Sequence, residues 1–96
     1  MKRFKLSLEA GRDIHEIWAY IAPDSVRAAR KVRLMLLDAC HLLAEHRKIG
    51  HRREDLTDEH VLFWPVGSYL IVYVPESRPL EIVRVISGAR DVLRLL

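Results

Sequence analysis

Residues Val61 to Asp91 read VLFWPVGSYLIVYVPESRPLEIVRVISGARD, and this stretch decides the fold. It contains three short apolar segments rich in Val, Ile, Tyr, Phe and Trp, the residues that are enriched in strands. Residues 65–68 and 75–79, which hold proline, glycine and serine, separate the segments. The pattern predicts an antiparallel meander with strands at about 61–66, 69–75 and 80–87.

Successive side chains of a strand point to opposite faces, and here this alternation predicts a sheet that is apolar on both sides. In the second strand Tyr69 and Tyr73 share one face, and neither face is polar. In the third strand Arg84 is expected on one face between Ile82 and Ile86. A lone buried guanidinium is costly, so Arg84 either extends to water, pairs with a carboxylate or lines a surface for an acidic partner. We take the last as the functional interpretation.

Length and composition predict a single folded domain spanning residues 1–96. Half of the 96 residues are hydrophobic and 30% are charged, the balance of a folded protein. No run approaches the length of a membrane span, and the basic first residues are followed by no apolar segment, so we expect no membrane association and a cytoplasmic location. The net charge of +3, with arginine as 12 of the 16 basic residues, favours acidic partners without establishing nucleic-acid binding.

The single cysteine and the five histidines do not predict a reactive centre. Cys40 lies on the apolar side of a predicted helix and is interpreted as a core residue rather than a nucleophile. His41, His46 and His51 are spaced five apart, which does not bring them onto one helical face. We therefore expect no metal, no cofactor and no catalytic residue.

Ahead of the meander, the sequence predicts a strand and two helices. Residues 3–8 alternate polar and apolar, with Phe4, Leu6 and Leu8 on the apolar side. Ser7 is placed to cap a first helix, which Ala22-Pro23 ends. Asp24 or Ser25 caps a second helix that runs to about His46, with Gly50 at the reversal after it. A polar loop follows at 45–60, with a basic half before an acidic half.

The second predicted helix has more apolar surface than a sheet can cover. A stripe from Ala29 to Leu43 is enough to pack on the sheet, and Leu34, Met35, Leu37 and Leu42 lie outside it. Either the first helix covers this surplus in an antiparallel hairpin, or a partner does. The fold class is therefore α+β, in the order β-α-α-β-β-β, with the helix hairpin packed on the C-terminal meander. The pairing partner of the first strand stays open.

Four blocks of the sequence, in order, resemble a known family. They are LSLEAGRDIHEIWAYIA (Leu6 to Ala22), HLLAEHRKIGHRREDL (His41 to Leu56), FWPVGSYLIVY (Phe63 to Tyr73) and IVRVISGARD (Ile82 to Asp91). Together they resemble the ParE branch of the RelE/ParE toxins of type II toxin-antitoxin systems. Two positions depart from the family pattern. Arg47 replaces a customary proline, which we expect to loosen the loop, and Ser87 stands where many relatives carry histidine.

The resemblance implies a toxin that is not an enzyme, inhibits DNA gyrase by binding it, and is neutralised by a cognate ParD-like antitoxin encoded beside it. The alternative is a RelE-like ribosome-dependent mRNA endonuclease, which needs cations on the scissile phosphate and a positioned proton carrier. The departure at Ser87 removes a candidate proton carrier and favours the first interpretation. A third interpretation is a binding relic without target activity.

Two sets of residues are the candidate contacts. For the target they are Arg84, Arg90, Asp91, Arg52 and Arg53, although Arg90 and Asp91 could instead form an ion pair that fastens the end of the chain. For the antitoxin they are Leu34, Leu37, Leu42, Trp64 and Tyr73. Trp64 and Tyr73 also fit an ordinary core position.

Overall fold

A computed structural model describes residues 3–87 of the chain. The elements in chain order are β1 (Phe4–Leu6), α1 (Leu8–Ile21), α2 (Val26–Glu45), β2 (Leu62–Val66), β3 (Tyr69–Val74) and β4 (Leu80–Ser87). The predicted α+β order, with a helix hairpin before a three-stranded meander, is confirmed. Neither of the two helices in the described range combines the length and the apolar character that a membrane span needs.

The four strands form one sheet in the order β1-β4-β3-β2. The meander strands β2, β3 and β4 pair antiparallel, whereas β1 pairs parallel with β4, with Phe4 opposite Leu80 and Leu6 opposite Ile82. This arrangement answers the question that the sequence left open. Strand β1 lies at one edge of the sheet, beside β4. The helix hairpin and the long loop connect β1 to β2 at the opposite edge.

Serine side chains begin both helices. The Ser7 Oγ accepts a hydrogen bond from the Ala10 N–H at 3.0 Å, and the Ser25 Oγ accepts one from the Ala28 N–H at 3.0 Å. The expected cap at Ser7 and the expected end of α1 at Ala22 are confirmed. The expected place of Leu8 on the apolar side of the first strand is wrong, because Leu8 is the first residue of α1 and is 69% exposed.

The main core lies between the helix hairpin and one face of the sheet. Helix α2 contributes a buried stripe, and β3 and β4 contribute Ile71, Tyr73, Ile82 and Val85. The stripe was predicted as the sheet-facing side of α2, and its buried members are Ala29, Leu36, Ala39, Cys40 and Leu43. Since these side chains are apolar apart from the Tyr73 hydroxyl and the Cys40 thiol, the hydrophobic effect drives the packing of this layer.

The second face of the sheet carries a smaller apolar cluster. Leu56, from the loop between α2 and β2, packs with Phe63, Val72 and Ile86 and is only 9% exposed. The loop was predicted as a polar connection, yet Leu56 anchors it to the second face of the sheet. Both faces of the meander are therefore covered, as the two-sided apolar pattern of β3 required.

A β-bulge in β4 changes which residues share a face. Val72 pairs with Arg84 but the next residue, Tyr73, pairs with Ile82, so Val83 is an extra residue. As a result Ile82 packs in the main core while Ile86 lies in the cluster on the second face. The expectation that Ile82, Arg84 and Ile86 share one face is wrong, because the extra residue shifts the alternation.

The long loop is fastened to the sheet at three points. Arg47 donates hydrogen bonds to the carbonyl oxygens of Pro75 and Ser77 in the turn between β3 and β4. The Gly50 N–H donates to the buried Tyr73 hydroxyl at 2.9 Å, and His51 pairs with Phe63 at the outer edge of β2. The expectation that Arg47 loosens the loop is wrong, since its guanidinium ties the loop to the turn.

Candidate functional site

Arg84, the first candidate target contact, is held by a carboxylate. Its Nε donates to Asp13 Oδ2 at 2.8 Å and its terminal nitrogen donates to Asp13 Oδ1 at 3.1 Å. This forked geometry is the one in which arginine binds carboxylates most strongly. The hydrogen bond to Asp13 raises the pKa of the Arg84 guanidinium above its ordinary value. Of the three options for Arg84, the structure selects pairing with a carboxylate.

The same carboxylate closes the open edge of β4. Strand β1 pairs only with residues 80–82, and within residues 3–87 no other strand neighbours β4 on that side. There Asp13 Oδ2 accepts a hydrogen bond from the Val85 N–H at 2.9 Å, and the Ser7 hydroxyl donates to the Val83 carbonyl at 2.8 Å. The side chains of Asp13 in α1 and of its N-cap Ser7 thus satisfy edge groups that would otherwise be open to another strand.

Arg84 lines a cavity of about 390 Å³ between α1 and the end of β4. Its polar walls also include Asp13, Glu16, Tyr20 and Tyr69. Two carboxylates thus face one guanidinium, two nitrogens of which donate to Asp13, and Glu9 also acts electrostatically on Arg84. Among the described residues that line it, the cavity has an excess of negative charge.

The remaining target candidates fall into two groups. Arg52 pairs with Glu54 at 3.5 Å, and Arg53 pairs with Asp55 through two hydrogen bonds of 3.0 and 3.1 Å, all on the exposed loop. Such short-range exposed pairs leave both arginines accessible to a partner. Arg90 and Asp91 lie outside the described residues. The structure therefore does not bring the five target candidates together into one described site.

The antitoxin candidates of α2 lie on a face that the rest of the described chain covers only in part. Leu34 is 55% exposed and Leu42 is 41% exposed, and Met35 between them is also exposed. Leu37 is half-buried in the groove between the helices, where it lines a cavity with Ile14 and Trp18 of α1. Helix α1 thus partly covers Leu37 but leaves Leu34, Met35 and Leu42 exposed.

The two aromatic antitoxin candidates differ in exposure. Tyr73 is fully buried in the main core, so its assignment as a partner contact is wrong for this conformation and the core interpretation is confirmed. Burial also raises the pKa of its phenol. Trp64 is half-buried and stacks with exposed His51, with ring centroids 6.1 Å apart. Trp64 therefore keeps an edge that a partner can reach.

His51 and His41 are placed away from Arg84. His51 bonds to the outer edge of β2, and strands β2 and β3 separate it from β4. His41 contacts the ring of Phe4 instead. Within residues 3–87 no group of three His, Cys, Asp or Glu side chains is placed to hold a metal ion. Among the described residues that line the Arg84 cavity, Glu16 and the two tyrosines could move a proton, and sequence reasoning did not connect them with Arg84.

Cys40 is expected to be inert until the chain unfolds. Its side chain is fully buried, and this burial raises the thiol pKa from 9.0 to about 12. An iodoacetamide time course at about pH 8, followed by mass spectrometry, should show labelling only at the rate of global opening. Between pH 9 and about 12 the unfolded chain loses this proton and the folded chain keeps it. Stability should therefore fall by about 1.4 kcal/mol per pH unit over that window.

The matched control for this labelling is the chain in guanidinium chloride, where Cys40 should react within minutes. A Cys40→Ala variant should lack this part of the alkaline loss, which separates it from the titration of tyrosine and lysine. Rapid labelling of the native chain would contradict the buried position of the thiol.

Two features of the site have no local signal in the sequence. The Asp13–Arg84 pair joins α1 to β4 across 71 positions, and no local pattern signals such a pair. The bulge at Val83 likewise has no glycine to mark it. By contrast, Ser7 was recognised as a helix cap, and its second hydrogen bond follows from the parallel pairing of β1 with β4.

Comparisons with known proteins agree with this architecture. A family model described as the ParE toxin of the type II toxin-antitoxin system, parDE, matches residues 4–92. A solved structure of the chromosomal ParDE TA system from P. aeruginosa contains a similar chain, with a TM-score of 0.73 and 15% identity over 88% of this chain and 94% of that chain. At this identity the likeness shows the fold. No curated protein matches the sequence. Because the family model covers almost the whole chain, this protein belongs to the ParE toxin family of type II toxin-antitoxin systems.

Proposed function

We propose that this toxin inhibits DNA gyrase by binding it, without catalysing a reaction, and that a cognate ParD-like antitoxin neutralises it in the cytoplasm. Membership of the ParE family supports the proposal. The observation that carries it is the state of Arg84. The cation that an endonuclease would place on a phosphate is instead bound on two of its nitrogens by Asp13.

The charge of the Arg84 cavity argues for binding rather than RNA cleavage. Cleavage of a phosphodiester needs cations that stabilise the developing charge on the phosphate. Here Asp13 and Glu16 outnumber Arg84 among the described lining residues, so these residues do not favour a bound phosphate. Glu16, Tyr20 and Tyr69 could carry a proton, but a proton carrier alone does not make this cavity a nuclease site.

The surface of the chain favours a helical antitoxin segment over an added strand. At the outer edge of β2, His51 already pairs with Phe63, and Pro65 has no N–H to donate. Asp13 and Ser7 occupy the open edge of β4. Apolar side chains are instead exposed along α2, at Leu34, Met35 and Leu42. An amphipathic helix could cover them by helix-to-helix packing.

A pulse-labelling time course after induction in a bacterial cell tests the target. We expect incorporation of labelled thymidine to fall before that of labelled methionine, and purified toxin to inhibit supercoiling by gyrase. Co-expression of the antitoxin encoded beside the toxin should restore both. An earlier fall in methionine incorporation, with cleaved mRNA on ribosomes, would favour the endonuclease alternative. A chain with no effect on either would be a binding relic.

Serine variants of the exposed leucines test the antitoxin surface. Leu34→Ser and Leu42→Ser should keep toxicity but need more antitoxin for rescue, because each removes an apolar contact of about 1–2 kcal/mol. Leu8→Ser is the matched control, since Leu8 is an exposed leucine of the other helix, at the start of α1. Equal rescue of all three variants would place the antitoxin on another surface.

A further inference from the structure

The cavity between α1 and the end of β4 combines carboxylates with aromatic rings. Asp13, Glu16 and Tyr20 of α1 line it and stand three and four residues apart, a spacing that places their side chains in one row along the helix. Tyr69, at the start of β3, lines it as well. Its volume of about 390 Å³ is within the range of sites that hold small organic groups.

Of the two carboxylates in this row, Asp13 is engaged and Glu16 is not. The Asp13 oxygens accept three hydrogen bonds, from Arg84 and from the Val85 N–H. Glu16 is exposed and forms no hydrogen bond or salt bridge within residues 3–87. Its charge acts on Arg84, but that guanidinium is already paired with Asp13. Glu16 therefore remains available to a further cation.

The stability of α1 does not account for a glutamate at position 16. Glu16 stands three residues after Asp13, a spacing at which like charges repel one another. It also lies beyond the first turn of α1, where a carboxylate would gain from the helix dipole. A cationic ligand beside Glu16 would offset this repulsion.

The two tyrosines supply ring surface next to that carboxylate. Tyr20 is 85% exposed, the largest exposed fraction among the large hydrophobic side chains of residues 3–87. Tyr69 packs against the main core and is positioned by strand pairing with Ser87 of β4. The face of an aromatic ring carries negative charge density and attracts cations. One ring is thus fixed and the other is open to a ligand.

We propose that this cavity binds the guanidinium group of an arginine side chain that a protein partner presents, whichever protein the toxin inhibits. A guanidinium is planar, so it can stack on a tyrosine ring while donating two parallel hydrogen bonds to the Glu16 carboxylate. An ammonium group has no plane to stack and is more strongly hydrated, which makes lysine the weaker ligand.

The exposure of the site favours a side chain of a partner over a free small cation. Tyr20 and Glu16 are both exposed, so they enclose a ligand only in part. One carboxylate and one exposed ring contribute too little to hold a free molecule against the entropy lost on binding. An arginine carried by a partner shares that entropy cost with the rest of the interface.

Titration of the isotope-labelled full chain with N-acetyl-arginine methylamide, followed by nuclear magnetic resonance, tests the site. The amide signals of Glu16, Tyr20 and Val85 should shift, with a dissociation constant in the millimolar range. The citrulline counterpart has nearly the same shape without the charge and should bind at least about fivefold more weakly. The lysine counterpart should bind about two- to fivefold more weakly. Raising NaCl from about 50 to about 300 mM should weaken binding of the arginine probe.

Variants of the two exposed side chains separate charge from ring stacking. Glu16→Gln should weaken binding of the arginine probe roughly three- to tenfold. Glu76→Gln makes the same change at an exposed position in the turn before β4, away from the cavity, and should leave binding within about twofold of the wild type. Tyr20→Leu should weaken binding about two- to fivefold, and Tyr20→Phe, which keeps the ring, should restore it.

Four results would overturn the proposal. Equal binding of the arginine and citrulline probes would remove the role of charge, and binding that is unchanged in Glu16→Gln would place the arginine elsewhere. Agmatine carries the same guanidinium on a free molecule, and binding more than about tenfold tighter than the arginine probe would assign the cavity to a small cation. An Arg90→Gln, Arg94→Gln variant that binds the probe more than about tenfold tighter than the wild type would assign it to the chain's own arginines. The pulse-labelling time course measures inhibition of gyrase independently of all four.

Discussion

Replacing Asp13 by alanine is expected to lower the free energy of unfolding by about 2–4 kcal/mol. The substitution removes the acceptor of three hydrogen bonds, two from Arg84 and one from the Val85 N–H. The Asp13 side chain is only 12% exposed, so little water is present to replace it. Arg84 is 36% exposed and can hydrate once released, which keeps the cost below that of a fully buried pair. Urea denaturation followed by circular dichroism measures the change.

Two further variants identify the source of that loss. Asp13→Asn keeps the shape and one acceptor and should lose less than Asp13→Ala. Asp55→Ala removes the carboxylate from an exposed arginine pair of similar geometry and should leave the denaturation midpoint near that of the wild type. A double-mutant cycle with Arg84→Met isolates the coupling between the two side chains. If Asp13→Ala unfolds at the same urea concentration as Asp55→Ala, the Asp13–Arg84 pair does not fasten α1 to β4.

The stability of this pair bears on how activity data are interpreted. Arg84 was selected from sequence as a target contact, and it also bridges β4 to α1. A toxicity loss in an Arg84 variant would therefore have two sources, a lost contact with the target and a smaller folded population. Toxicity per folded molecule, measured beside the melting temperature, separates them. Arg52 and Arg53 carry no such ambiguity, since their pairs are local to the exposed loop.

Local chemistry is what made the helices and strands predictable. Ser7 and Ser25 mark the helix starts, Ala22-Pro23 marks the end of α1, and residues 65–68 mark the turn between β2 and β3. Each of these signals acts within a few residues, where the physics of caps and turns is decisive. The buried stripe of α2 followed from helical periodicity in the same way.

The features that the sequence did not predict depend on contacts between distant residues. The bulge at Val83 changed the face of Ile86, and the tie from Arg47 to the β3–β4 turn crosses about 30 positions. The pairing of β1 with β4 joins the two ends of the described chain. Nothing at Asp13 distinguishes it locally from an exposed helical aspartate. The candidate site was therefore predicted less completely than the fold, because its central residue is placed by tertiary structure.

Gly50→Ala is expected to destabilise the chain by about 2–4 kcal/mol. A Cβ atom at this position would lie 2.5 Å from the Tyr73 hydroxyl oxygen, 2.9 Å from its Cε1 and 3.0 Å from the Leu62 Cβ. Tyr73 is fully buried in the main core and cannot withdraw without opening a cavity. The loop must move instead, which breaks the hydrogen bond from the Gly50 N–H and strains the neighbouring His51–Phe63 pairing. Urea denaturation measures the loss.

Gly11→Ala is the matched control because it makes the same substitution where there is space. A Cβ at Gly11 meets no atom within 4 Å, and the position lies inside α1, so this change should stabilise the chain by up to about 1 kcal/mol. The two substitutions are therefore expected to change the free energy of unfolding in opposite directions. Combining Gly50→Ala with Tyr73→Phe removes the closest clash, and the double variant should lose less than the sum of the single losses. A Gly50→Ala protein as stable as the wild type would mean that Tyr73 does not hold the loop, and Arg47, His51 and Leu56 would then be its remaining anchors.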